Sequence, residues 1–107
     1  MLGHSNCGAI LATLEQLLQP TEQRSPHLRS IVDRVRPSVA PLLATELRHD
    51  HDALLCHAVR ANVRLSVNHL RYGSSILEEY VQQRKLLVVG AEYSLETGKV
   101  EFFDDAQ

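Results

Sequence analysis

Two cysteines, Cys7 and Cys56, in a chain of 107 residues are too few for a disulfide framework, and both are expected as reduced thiols. An excess of basic residues is also missing. The net charge is -2 and the sequence pI is about 6.3, so the phosphate-binding footprint of a nucleic-acid partner is absent. The arginines are scattered and interleaved with acids, which reads as solvated helix faces. No apolar run approaches the ~20 residues that span a membrane. No basic segment precedes an apolar stretch as in a signal peptide, so a cytoplasmic location is expected. Internal repeats and low-complexity segments are lacking too, and the length bounds one small domain covering residues 1–107.

The first two thirds of the chain carry helical periodicity. Ile10, Leu11, Leu14, Leu17 and Leu18 predict a helix from Gly8 to Leu18, stopped by Gln19-Pro20. Thr21 to Ser25 reads as a polar loop, with Ser25 as N-cap and Pro26 at the first position of a second helix. Leu28, Ile31, Val32 and Val35 form its apolar stripe. Pro37 and Pro41 are expected to break it, leaving Val39 to Leu47 as a separate short helix. His49-Asp50-His51-Asp52 is metal-like in composition, but reads better as a polar cap for the longest helix, Ala53 to Tyr72. Leu55, Val59, Val63, Ser66, Val67 and Leu70 mark one face of that helix, and Gly73 ends it. Ser75 is expected to cap a short helix through Val81.

The pattern then changes. Leu86-Leu87-Val88-Val89-Gly90-Ala91 is the continuous apolar run of a strand buried on both faces. A turn at Leu95 to Gly98 leads to an alternating segment, Lys99 to Phe103, expected as an antiparallel edge partner. The fold class is α/β: several helices packed on a small mixed sheet that ends in an antiparallel hairpin. The sheet available is only this hairpin and the stub Met1-Leu2-Gly3, which reads as the back part of a domain whose first strands are absent.

Chemistry begins at residue 4. Gly3-His4-Ser5-Asn6-Cys7-Gly8-Ala9 reads as a strand end, a tight turn and a helix start. His4 and Cys7 can donate two ligands to zinc, which takes four in a structural site or three plus water in a catalytic one. Cys7 falls at a helix N-terminus, whose partial positive charge favours anionic ligands. Gly8 and Ala9 let backbone N–H groups approach a bound anion. From spacing alone, a capped turn with a small buried thiol is the more economical reading. Cys56 and His57 are neighbours on a helix, about 100° apart, so at most one of them could join such a site. Cys56 is expected as a half-buried thiol, and His27 and His69 as surface residues.

These residues carry a resemblance. Gly3 to Ala9 resembles the second zinc-binding motif of the β-class carbonic anhydrases. The likeness continues through Ala58-Val59-Arg60-Ala61-Asn62-Val63 and Leu70, then Ile76-Leu77, then Leu86 to Tyr93, and Leu95 to Phe102 resembles the family's terminal hairpin. The resemblance implies a zinc enzyme (carbonate dehydratase, a lyase) that interconverts CO2 and bicarbonate, with His4 and Cys7 as zinc ligands and Gly8 as a backbone contact to the anion. The family's first half supplies a Cys-x-Asp-x-Arg motif that holds the third protein ligand and the Asp-Arg dyad. No such motif occurs here. The expectation is therefore a truncated β-carbonic anhydrase-like domain, inactive alone, that forms a homo-oligomer or binds a partner supplying the missing half. The competing expectation is a non-catalytic relic or interaction module of the same fold.

Overall fold

The computed structural model describes residues 1–19 and 26–103. In order these form β1 (Leu2–His4), α1 (Gly8–Leu18), α2 (Pro26–Val39), two 3-10 helices (Ala40–Ala44 and Glu46–His49), α3 (His51–Tyr72), α4 (Ser75–Gln82), β2 (Gly90–Tyr93) and β3 (Val100–Phe103). They gather into two compact units: Asn6–Asn62, and Met1–Ser5 together with Val63–Gln107. The fold is α/β, as the pattern predicts.

The helical unit is built from apolar stripes that meet. Ile10 and Leu14 of α1, Val35 and Val39 of α2, and Leu54, Leu55, Ala58 and Val59 of α3 form its buried core. Cys7, Leu11, Leu17, Leu42, Leu43 and Leu47 pack against that core, half-buried. α1 has the predicted bounds. The Ser25 cap and the loop from Thr21 lie outside the described residues.

α2 departs from expectation in two ways. Its buried positions are Val32, Val35 and Val39, spaced for one helical face, while Ile31 is exposed on the flank. Pro37 does not break it. The helix runs on to Val39 with Pro37 inside it. The segment expected as a single short helix is instead two 3-10 helices. Pro41 sits at the start of the first, where its missing N–H costs nothing, and Thr45 Oγ1 accepts from Leu47 N–H (3.2 Å) at the start of the second. Asp50 does cap α3, its Oδ1 accepting from Ala53 N–H at 3.2 Å, and the helix begins two residues earlier than the pattern predicts.

The second unit holds a three-stranded sheet of order β1-β2-β3. β1 and β2 are parallel, with Leu2 opposite Ala91 and His4 opposite Tyr93. β2 and β3 are antiparallel, with Gly90 opposite Phe103 and Tyr93 opposite Val100. Their connection closes at Gly98, whose φ of 73° is a left-handed conformation that glycine adopts freely. Val63 and Val67, on the C-terminal half of α3, are buried in this unit together with Ala91. At Gly90 a Cβ would stand 3.0 Å from both Val63 Cγ1 and the Phe103 ring, so the strand approaches its neighbours closely only because no side chain is there. Gly73 ends α3 for a similar reason: a Cβ would lie 2.4 Å from His69 O. α4 is capped by Ser74 rather than Ser75, with Ser74 Oγ accepting from Leu77 N–H.

The strand expected from Leu86 is shorter than its sequence. Only Gly90–Tyr93 is laddered, and Leu86 and Leu87 are exposed rather than buried on both faces. Hydrogen-bonded pairing, not apolar composition, makes a strand. Met1 O accepts from Ala91 N–H (2.9 Å) and the Met1 amino group donates to Val89 O (2.8 Å). Val88 is held by Arg71. This arginine is buried, against the solvated reading given to the arginines, and its Nη2 donates to Val88 O.

Candidate metal centre

His4 ends β1 and is exposed. Its backbone is fixed by the ladder to Tyr93, and the turn after it is tied to the hairpin: Ser5 N–H donates to Tyr93 O at 2.9 Å. Ser5 Oγ accepts from Leu95 N–H (2.9 Å) and donates to Glu96 Oε2 (3.1 Å), which also accepts from Ser94 Oγ (3.0 Å). This network holds the strand end that carries His4. The ring Nδ1 lies 2.9 Å from Ser5 O. A carbonyl only accepts, so this hydrogen bond requires the proton on Nδ1. The lone pair is thereby left on Nε2, which is how a second partner commonly fixes a ligating histidine.

Cys7 is the N-cap of α1, with φ -64° and ψ 120°, and is half-buried against the helical core. Its carbonyl accepts the first helical bond from Leu11 N–H at 3.0 Å, while its thiol makes no capping bond. Gly8 is the first helical residue and is exposed, and a Cβ there would meet nothing within 4 Å. Between strand and helix, Asn6 takes a left-handed φ of 54°, which reverses the chain. Asparagine tolerates that region better than most residues, and this is the one signal by which the sequence could have revealed it. The chain itself keeps the Cα atoms of His4 and Cys7 within about 11 Å.

The donor chemistry of an imidazole nitrogen and a thiol suits zinc. The donor number does not complete a site. Among the described residues no three of His, Cys, Asp and Glu come together as a group able to hold a metal ion. The His49-Asp50-His51-Asp52 stretch is exposed and spent on the α3 cap, as its polar-loop reading predicts. Cys56 is exposed rather than half-buried, and His57, His27 and His69 are exposed.

Comparison with known proteins gives a consistent result. A family model described as carbonic anhydrase matches residues 1–100. Carbonic anhydrase 2 of Mycobacterium tuberculosis, in strain H37Rv and in strain CDC 1551, is 32% identical over 104 residues, covering 97% of this chain and 47% of that protein. The structure of the β-carbonic anhydrase CcaA is similar with a TM-score of 0.76 at 21% identity, over 98% of this chain and 50% of that one. One of two tetrameric β-carbonic anhydrases from the filamentous ascomycete Sordaria macrospora is similar with a TM-score of 0.75 at 21% identity, over 95% of this chain and 49% of that one. The chain thus spans about half the length of the curated relatives it matches.

Proposed function

The chain belongs to the β-carbonic anhydrase family, and on that premise we propose that it supplies His4 and Cys7 as ligands to a zinc site for the reversible hydration of CO2 to bicarbonate. Gly8 offers a backbone N–H to the bound anion at the start of α1. The observation that carries this reading is the state of the two donors. Ser5 O occupies the Nδ1 side of His4, which leaves Nε2 for a metal, and the Cys7 thiol is uncommitted at a position where a side chain ordinarily caps the helix.

Two protein donors are one short of the three that a catalytic zinc site uses. The site is therefore completed from outside this pair, by a second copy of this chain, and a single copy turns over CO2 slowly or not at all. The test is the zinc content of the purified chain by elemental analysis, beside His4→Ala and Cys7→Ala. Near-stoichiometric zinc that falls at least tenfold in both variants supports the assignment. Absence of zinc from all three overturns it.

A second reading, a non-catalytic interaction module of the same fold, rests on a separate observation. Leu2, Ile76, Leu87 and Phe102, all in the unit that holds the sheet, are 63%, 65%, 72% and 71% exposed. Exposed large apolar side chains in one small unit are the surface such a module would use to associate with a further protein. Zinc-free protein that nevertheless self-associates would favour this reading over the enzyme.

A further inference from the structure

We propose that the cavity beside the C-terminus of α4 binds a small oxyanion, a carboxylate or phosphate, attached to an apolar body. The cavity has a volume of about 580 Å³ and is lined by Arg71, Tyr72, Val81 and the segment 84–88, within the range of small-molecule sites. Three of its wall residues are cationic, Arg71, Arg84 and Lys85, and none is acidic. No acidic side chain among the described residues pairs with Arg84 or Lys85. Arg71 is 7% exposed, and its guanidinium is fixed by donation to Val88 O, so one cation of the wall is rigid and desolvated. An anion complements the exposed Arg84 and Lys85 of this wall, and a guanidinium is a planar fork suited to carboxylate or phosphate. Tyr72, Leu86 and Leu87 give the same cavity exposed apolar surface, which an inorganic anion would leave uncovered.

The backbone supplies an independent observation. α4 ends in paired bonds, Arg84 N–H to Val81 O (3.1 Å) and Lys85 N–H to Tyr80 O (2.9 Å), and Arg84 has a left-handed φ of 59°. This is the helix-ending position that glycine fills best. An arginine there disfavours the turn, while its side chain joins Arg71 and Lys85 in the cavity wall. The positive charge suits a helix end, but the left-handed backbone does not favour arginine over glycine, and the side chain lies in the cavity wall. The inference does not depend on the zinc reading, because none of these residues belongs to it.

The test uses the full 107-residue chain. Phenyl phosphate, benzoate and the neutral phenol are titrated while the backbone amide signals of residues 84–88 are followed by NMR. The expected result is saturable shifts with at least one of the two anions, at least tenfold weaker apparent affinity for phenol, and at least tenfold weaker anion binding in the double variant Arg84→Gly/Lys85→Gln. Because glycine suits position 84, the variant is expected to melt no lower than the wild type, which separates loss of binding from loss of folding. The single variant Lys85→Gln, at an exposed position, is expected to show the same direction. Absence of saturable shifts with either anion, or equal affinity in wild type and variants, overturns the proposal.

Discussion

Cys7 stands at a helix N-cap without capping it. Serine, threonine, aspartate and asparagine are favoured there because their oxygens accept from the first free N–H groups, and replacing them by alanine costs about 1 kcal/mol. A thiol offers little of this, and here it offers none. Cys7→Ser is therefore expected to keep the chain folded and raise its stability by up to about 1 kcal/mol, since the hydroxyl gains a capping bond. For a domain of this size that is a rise of a few degrees in melting temperature, read by circular dichroism. The same substitution removes the thiolate ligand, so zinc content is expected to fall while the melting temperature does not. A melting temperature lower by several degrees would show that the thiol's packing against the helical core outweighs the cap. The placement of His4 at a strand end and Cys7 at a helix start was legible in sequence because strand end, turn and helix start lie within a few positions of one another. The hydrogen bond from His4 Nδ1 to Ser5 O, and the ties from Ser5 to Glu96 and Leu95, were not, because the latter join residues some 90 positions apart.

At the scale of elements, what could be read depended on whether the cause is local. α1 begins and ends where its apolar spacing and its Gln19-Pro20 stop place it. α2 runs through Pro37, which a rule that proline breaks a helix does not foresee. Leu86 to Val89 look like a buried strand, yet a strand exists only where a second backbone pairs with it. The parallel ladder pairs Leu2 to His4 with Ala91 to Tyr93, and Arg71 takes the carbonyl of Val88. β2 is fixed by a different constraint. Gly90 is buried between Val63 of α3 and the ring of Phe103, and Arg64 lies 5.1 Å above the centre of that same ring. A side chain at position 90 must displace one or both neighbours. Gly90→Val is expected to destabilise by about 1–3 kcal/mol, the usual cost of overpacking. Chemical denaturation would show this as a lower midpoint with an unchanged slope. A midpoint equal to wild type would mean that Phe103 swings away freely and that the close approach of helix and sheet is not what holds β2 and β3 in register.

At the scale of the whole molecule, the distribution of exposed apolar residues carries the argument. The helical unit buries Ile10, Leu14, Val32, Val39 and Leu54 to at most 2% exposure, while Leu18 and Ile31 on its helices are 44% exposed. The unit with the sheet leaves Leu2, Ile76, Leu87 and Phe102 largely exposed. Among the described residues the sheet has three strands, so β1 and β3 are both edges. β1 is parallel to its neighbour, and parallel strands are ordinarily found with both faces covered. An uncovered edge bearing Leu2 is a template for pairing with another chain. The chain is therefore expected to self-associate at micromolar concentrations and above, by sedimentation velocity, with a weight-average mass that rises with concentration above the 12.0 kDa of a single chain. Leu2→Lys and Leu87→Lys, which place charge on the edge and on the exposed segment, are expected to shift that equilibrium toward the single chain without lowering the melting temperature, because neither side chain contributes to a core. A wild-type chain that stays at the single-chain mass at high concentration would remove the argument for association, and with it the most direct route by which a second copy could complete the donor set that His4 and Cys7 begin.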